Sequence, residues 1–234
     1  MEGTNYSIII PHKNIPQLLK RCLDSIPQRD DVQIIVVDDN SSSDIVDFAN
    51  FPGYERDDVL VVFTKENKGG GYARNKGLEH ARGRWLLFAD ADDFFMPGFL
   101  TALDDYCDTD YDLITFCAES VKCYTLESIP SRQNKDVAGN VNPDLLKYRN
   151  DVPWAKMVSA RLVQERHIRF DETPAANDTM FSARVDYYAH KVTVCRKHFG
   201  QKGYLKGLLI WLYHERWDNI YKTFSNLLKA KFSH

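Results

Sequence analysis

Short apolar runs alternate with longer amphipathic ones through the first half of the chain. Tyr6 to Ile10 (YSIII) reads as a buried strand, closed by Pro11. Pro16 suits the first turn of a helix. Behind it Leu18, Leu19, Cys22, Leu23 and Ile26 recur at three- and four-residue spacing, the mark of one buried helical face. Gln33 to Val37 (QIIVV) is a second strand, followed by Asp38-Asp39-Asn40-Ser41-Ser42-Ser43, dense in turn and N-cap formers. A helix is expected through Ile45, Val46, Phe48 and Ala49. Val59 to Thr64 is a third strand, and Gly69-Gly70-Gly71 leads into a helix from about Tyr72 to Ala81. Trp85 to Ala89 is a fourth strand, ending directly on Asp90-Ala91-Asp92-Asp93. Pro97-Gly98 opens a helix through Leu100 and Leu103, and Leu113 to Cys117 is a fifth strand.

This order predicts an α/β fold, a mostly parallel sheet with helices on both faces. Such sheets bind ligands at the carboxyl ends of their strands. Asp38-Asp39 and Asp90 to Asp93 both stand at such ends, so both are expected to face one crevice. The pattern weakens after Lys122. Ser128 to Asn142 reads as a polar loop, Val152 to Lys156 as a packed turn, and Arg161 to Arg166 as a short helix. A polar loop ends at Asn177-Asp178, and a helix is expected from Asp178 to about Ala189. From Tyr204 the tail carries Trp217, Ile220, Tyr221, Phe224, Leu227 and Leu228 at helical spacing, with Lys222, Lys229 and Lys231 among them.

The 234 residues are 44% hydrophobic and 27% charged, which excludes collagen-like and disordered chains. A net charge of −3 argues against a nucleic-acid partner. Lys191 to His234 holds nine Lys/Arg against two Asp/Glu, a balance of +7 that leaves −10 on the rest. The tail is thus basic and amphipathic. It suits either an anionic membrane interface or packing on the body or a second copy. Five cysteines without a CxxC pair argue against a disulfide scaffold or structural zinc and for reduced thiols. Ile8 to Ile10 is too short for a signal peptide's apolar region, and Leu208 to Tyr213 is far short of the ~20 residues that span a bilayer. A cytoplasmic protein, or one peripheral to the inner face of the plasma membrane, is expected.

Asp90 and Asp92 lie one residue apart at the end of a buried strand. Their mutual repulsion is relieved by a hard divalent cation, and Mg²⁺ typically takes one or two carboxylates plus substrate phosphates. A lone D-x-D is weak evidence, since short acidic motifs arise by accident and also serve as caps. Here it stands in a wider pattern: S-I-I-I-P with Asn14; I-I-V-V-D-D-N-S-S-S-D from Ile34; N-K-G-G-G-Y-A-R-N-K-G-L from Asn67; A-R-G-R-W-L-L-F-A-D-A-D-D with Pro97-Gly98; and N-D-T-M-F from Asn177. In order and spacing this resembles the family 2 glycosyltransferases and their GT-A fold.

The resemblance implies a three-layer, Rossmann-like GT-A domain over about residues 1–200. Its nucleotide-sugar half would end near 122, its acceptor half would follow, and a helical extension would cover 201–234. It implies an inverting, metal-dependent enzyme of hexosyl- or N-acetylhexosaminyl-transferase type. Such an enzyme moves a sugar from a UDP-sugar donor to a glycan or lipid-linked acceptor in bacterial surface-polysaccharide synthesis. Asp39 would bind the uracil, and the backbone near Pro11 would line the base pocket. Arg74 and Asn75 would sit near the nucleotide. Asp90 would contact the ribose or the metal, Asp92 would hold Mg²⁺ or Mn²⁺, and Asp178 would be the catalytic base.

Two departures stand out. Asn40 replaces the usual Gly, which Asn accommodates if the backbone is left-handed. Asn177 replaces the Glu before the base. Trp154 and Phe181 read as core aromatics, Lys13 and Arg21 as exposed, His198 as a solvated side chain, and Cys117 and Cys123 as unrelated thiols. Three other readings compete: a haloacid-dehalogenase-like phosphohydrolase, a receiver domain, and a non-catalytic nucleotide-sugar-binding relative. In the first, the residue two past Asp92 would normally be Thr or Val, not Phe94. The second leaves the glycine run unused.

Overall fold

A computed structural model describes residues 3–122, 127–129, 142–147, 152–173, 175–195 and 209–213. Seven strands form one sheet: β1 (Tyr6–His12), β2 (Val32–Asp39), β3 (Val59–Thr64), β4 (Trp85–Phe88), β6 (Leu113–Thr115), β9 (Lys156–Ser159) and β10 (Val192–Val194). Their order is β10-β6-β9-β4-β1-β2-β3. All pairs are parallel except those of β9, which is antiparallel to both β4 and β6. A second sheet of four holds β5 (Phe94–Phe95), β11 (Leu209–Tyr213), β7 (Ala118–Lys122) and β8 (Ser128–Ile129) in that order.

Alternation along the central strands sorts side chains into two cores, as period-2 geometry requires. Tyr6, Ile8, Ile10, Ile34, Val36, Trp85 and Leu87 pack on one face with α1 (Pro16–Asp24) and α3 (Phe99–Asp104). Ile9, Ile35, Val37, Leu86 and Phe88 pack on the other with α2 (Gly70–His80), α5 (Ala160–Glu165) and α6 (Thr179–Tyr188). A further single turn, α4 (Pro143–Leu146), is capped by Asn142. Burial on both faces explains why the central strands read as unbroken apolar runs. At the edge, β3 exposes Leu60 and Phe63.

Three expectations change. The helix through Ile45 to Ala49 is a series of turns instead. Asp47 Oδ1 accepts from the Ala49 N–H at 2.9 Å, a local bond that competes with a helical ladder. β9 falls partly where a packed turn was expected. Its Lys156 is 1% exposed and lies 3.2 Å from Asp186, so a buried ion pair joins β9 to α6. Leu209–Tyr213, placed by the sequence reading in a helical extension, is a strand parallel to β7 and antiparallel to β5. Its LIWLY run suits a pleated surface better than a helix. The stripe from Trp217 onward and His198 lie outside the described residues.

Candidate active site

The carboxyl ends of β1 and β2 are tied by a buried polar lattice. Pro11 lies opposite Val37 and His12 opposite Asp38. His12 Nε2 accepts from the Ile15 N–H at 3.2 Å, so Nδ1 carries the proton and donates to Asp38 Oδ2 at 2.7 Å. Ser41 adds its N–H to Asp38 Oδ1 (2.9 Å) and its hydroxyl to Oδ2 (2.5 Å). Asn14 bridges the same loop: its N–H donates to Ser41 Oγ, and its Oδ1 accepts from Ser42 N–H. Burial pushes the Asp38 carboxyl up, but the bonds from His12 and Ser41 outweigh it and hold the group below the usual carboxylate range. Asn40 has φ 60°, the left-handed backbone expected of it.

Asp39 faces the other way. Its Oδ1 accepts from Thr64 Oγ1 (3.1 Å) and Lys68 N–H (3.2 Å), its Oδ2 from Gly69 N–H (2.6 Å). An ionised carboxylate offers about four acceptor positions, so about one is left. Gly69 itself has φ 90°, a conformation that disfavours a side chain. Two residues on, a Cβ at Gly71 would stand 2.1 Å from the Asp171 carbonyl oxygen and 2.9 Å from Asn177 Cβ. Only glycine lets the start of α2 press against the 171–178 loop.

One turn into α2, Arg74 and Asn75 are buried side by side. Arg74 Nη2 donates to Asp90 Oδ1 at 2.5 Å and Nη1 to Asn177 Oδ1 at 3.0 Å. Asn75 pairs with the Phe170 backbone through both its amide atoms (3.0 and 2.9 Å) and reaches Glu172 at 3.2 Å.

After β4 comes the acidic loop. Asp90, Asp92 and Asp93 offer ligand oxygens that all lie within 4.8 Å of one another, and Asp93 is fully buried. Oxygen-only donors of this charge fit a hard divalent cation. Arginines flank the cluster on two sides: Arg74 at Asp90, and Arg21, whose Nη2 donates to the Asp92 carbonyl at 2.6 Å while its guanidinium lies over Phe94. Arg21 was expected to be exposed; its place on α1 turns it inward beneath the loop. Beside it Cys22 is buried, and burial with the nearby aspartates pushes its thiol well up.

Asp178 stands at the N-terminal boundary of α6, yet its side chain makes no capping bond there. Its neighbour Phe181 stacks on Phe170 at 3.9 Å, and both rings meet Phe88 of β4 edge-on.

The family model of glycosyl transferase family 2 matches residues 7–166. The chain belongs to glycosyl transferase family 2. Within that family it is 28% identical over 198 residues to a poly(ribitol-phosphate) beta-glucosyltransferase of Bacillus spizizenii, covering 80% of this chain and 30% of the relative. It is 25% identical over 216 residues to the putative glycosyltransferase EpsH of Bacillus subtilis, covering 82% and 59%. The chain therefore spans roughly a third to three-fifths of these relatives' lengths. The crystal structure of S. aureus TarS 1-349 in complex with UDP-GlcNAc shares the fold, with a TM-score of 0.69 and 21% identity over 90% of this chain and 59% of that one. The family match takes in Pro11, Asp39, Arg74, Asp90 and Asp92 but stops short of Asp178.

Within this family 2 frame, the structure joins Arg74 to Asp90 directly and to the residue before Asp178 through Asn177. Pro11 lies one residue before the end of β1, which continues past it to His12 where the sequence placed a stop, and Asp39 ends the adjacent strand β2. Sequence reasoning missed Arg21, His12 and the bond of Asn177 to Arg74. The inward turn of Arg21 had one available signal: it lies one residue before Cys22, at the edge of the apolar face of α1. Asp38 does not share the crevice role expected for it, because its oxygens are taken by His12 and Ser41.

Proposed function

We propose that the chain is an inverting glycosyltransferase that moves a hexosyl or N-acetylhexosaminyl group from a UDP-sugar to a hydroxyl of a glycan or lipid-linked acceptor. Bacterial surface-polysaccharide synthesis, in the cytoplasm or on the inner face of the plasma membrane, is the setting we infer. The observation that carries the reading is that one guanidinium links the acidic cluster to the loop bearing Asp178. The Bacillus relatives, by their names, support the polymer setting. No helix among the described residues is long and apolar enough to cross a membrane. For the tail, the basic apolar stripe from Trp217 supports contact with an anionic surface or a second copy.

Each residue then has a task. The acceptor position left on Asp39 takes one donor, as the uracil N3–H provides, and the backbone at Pro11 lines the base. Asp90 and Asp92 would hold Mg²⁺ or Mn²⁺. When bound, the cation neutralises charge on the departing diphosphate. Asp178 takes the proton from the acceptor hydroxyl as its oxygen attacks the anomeric carbon. Attack opposite the leaving group inverts that centre.

Thermal shift against a panel of nucleotide-sugars, with and without Mn²⁺, tests the donor; stabilisation by a guanine nucleotide instead of UDP would overturn the uracil assignment. Asp178→Asn tests the base. Asn is nearly isosteric with Asp and caps a helix about as well, so the protein should fold and bind UDP normally, while kcat falls by about 10²–10⁴-fold. Retention of most transfer activity would pass the role to Asp93 or Glu172.

A further inference from the structure

The base-bearing loop is held from the donor side of the molecule, and Asn177 is where the hold is made. Its side-chain oxygen accepts from Arg74 Nη1 (3.0 Å), its amide donates to the Thr173 carbonyl (3.4 Å), and its own carbonyl accepts from the Asp171 N–H (3.1 Å). Just before it, Ala176 is left-handed at φ 54°. Just after it comes Asp178, at the start of α6. The approach is tight, because Gly71 leaves no room for a Cβ between α2 and this loop.

Arg74 is itself over-determined. It is 7% exposed, its guanidinium lies 5.4 Å from the Phe170 ring, and its other nitrogen is 2.5 Å from Asp90. A guanidinium is a rigid planar fork, so its two bonds cannot move independently. A shift of Asp90 tilts the fork and carries Asn177 with it.

We propose that Asn177 and Arg74 are positioning residues that set the place of Asp178 from the state of the acidic cluster, so that the base is aligned only when Asp90 is in order. The proposal rests on the reading of Asp178 as the base. A neutral side chain suits position 177. It accepts one bond from Arg74 while Asp90 remains the carboxylate that balances the guanidinium. Misplacing a reacting group by ~1 Å can cost on the order of 100-fold in rate, so the link is large enough to matter.

The test compares Asn177→Ala, Asn177→Asp and Arg74→Lys with wild type. UDP affinity is read by calorimetry in Mn²⁺, turnover by UDP release with acceptor. Asn177→Ala removes the acceptor from Arg74 but leaves every proposed ligand of donor and cation. UDP affinity should stay near wild type while kcat falls by about 10–100-fold. Asn177→Asp keeps an oxygen facing Arg74 but sets a second carboxylate on one guanidinium and loses the amide that donates to the Thr173 carbonyl, so it should recover only part of the loss. In an Arg74→Lys background, which has no fork, Asn177→Ala should cost little more, a non-additivity expected of residues acting as one unit. Unchanged kcat in Asn177→Ala overturns the proposal. So does a loss that falls equally on UDP binding, or one that is just as large in the Arg74→Lys background. Failure of the underlying reading looks different: Asp178→Asn would then keep its activity.

Discussion

The ends of β2 and β4 carry the same signature, aspartates at or just past the carboxyl end of a buried strand, yet they are built for different work. At β2 the protein consumes its own acids. Asp38 is filled by His12 and Ser41, and Asp39 is nearly filled by Thr64, Lys68 and Gly69. At β4 three carboxylates crowd within 4.8 Å, with arginines at two points around them. The first arrangement makes a rigid floor from negative charge. The second keeps negative charge concentrated, as a cation site requires. An acidic doublet after a strand therefore says where a site is, while the donors around it decide what it does.

The sharpest way to break the comparison is to delete one acid from each end. Asp38→Ala leaves the His12 Nδ1–H, the Ser41 N–H and the Ser41 hydroxyl without their acceptor. Each buried orphan costs about 1–3 kcal/mol, so about 3 kcal/mol or more is expected together. In a chain of this size that is a fall in Tm of roughly 6–12 °C. Asp92→Ala should act on the cation site instead. Removing one of three clustered carboxylates takes away a proposed cation ligand, so any stabilisation by Mn²⁺ with UDP should disappear. Scanning calorimetry with and without Mn²⁺ reads both. A metal response that survives Asp92→Ala would remove the distinction between the two ends.

Much of this was legible from the chain. The parallel strands showed themselves because burial on both faces demands unbroken apolar runs. The acids at their ends were legible because each group directly follows an apolar run. Asn40 was readable because few residues besides Gly tolerate a left-handed backbone. What stayed hidden depends on partners far away in sequence. β9 is hard to see because it is four residues long and opens on Lys156, whose burial makes sense once Asp186, 30 residues on, is set beside it. The turns at 45–49 look helical by spacing, yet Asp47 diverts the backbone. Arg21 looks like any helix-surface cation until α1 is docked beneath residues 90–93. Asp38 and Asp39 could not be told apart without His12 and Gly69, which fill one and nearly fill the other.

A smaller effect sharpens the β4 side. Arg21 supports the acidic loop through the Asp92 carbonyl and lies close enough to temper its charge. Arg21→Met keeps the apolar stem but removes that bond, worth about 1.5–3 kcal/mol for a charged donor. The apoprotein should lose stability of that order, and Mn²⁺ should recover part of it, because the cation replaces the missing positive charge. Titration of Mn²⁺ followed by thermal shift should also show tighter binding than in wild type. Weaker binding would mean that Arg21 shapes the loop more than it offsets its charge.

The smallest effect is confined to acid. Asp38 is held below the usual carboxylate range by His12 and Ser41, so the folded state binds its proton less readily than the unfolded chain does. A group depressed in this way contributes stability that is complete above its unfolded pKa, near 3.9, and lost as pH falls through its lower folded value. From pH 5 to 8 this group should add no slope, and below about pH 4 the slope should be steep. Asp38→Asn removes the titration and shows what the charge was for. Turning the amide oxygen toward His12 sets its NH2 against the Ser41 N–H; turning it the other way sets the NH2 against the His12 Nδ1–H. The histidine cannot switch tautomer to help, because Nε2 already accepts from Ile15. Asp38→Asn should therefore be less stable than wild type at neutral pH, and the gap should narrow as the pH drops below 4. Urea melts at pH 7, 5, 4 and 3 follow the gap directly. A constant difference across that range would mean that the bonds at the end of β2 depend on shape alone and not on the charge of Asp38.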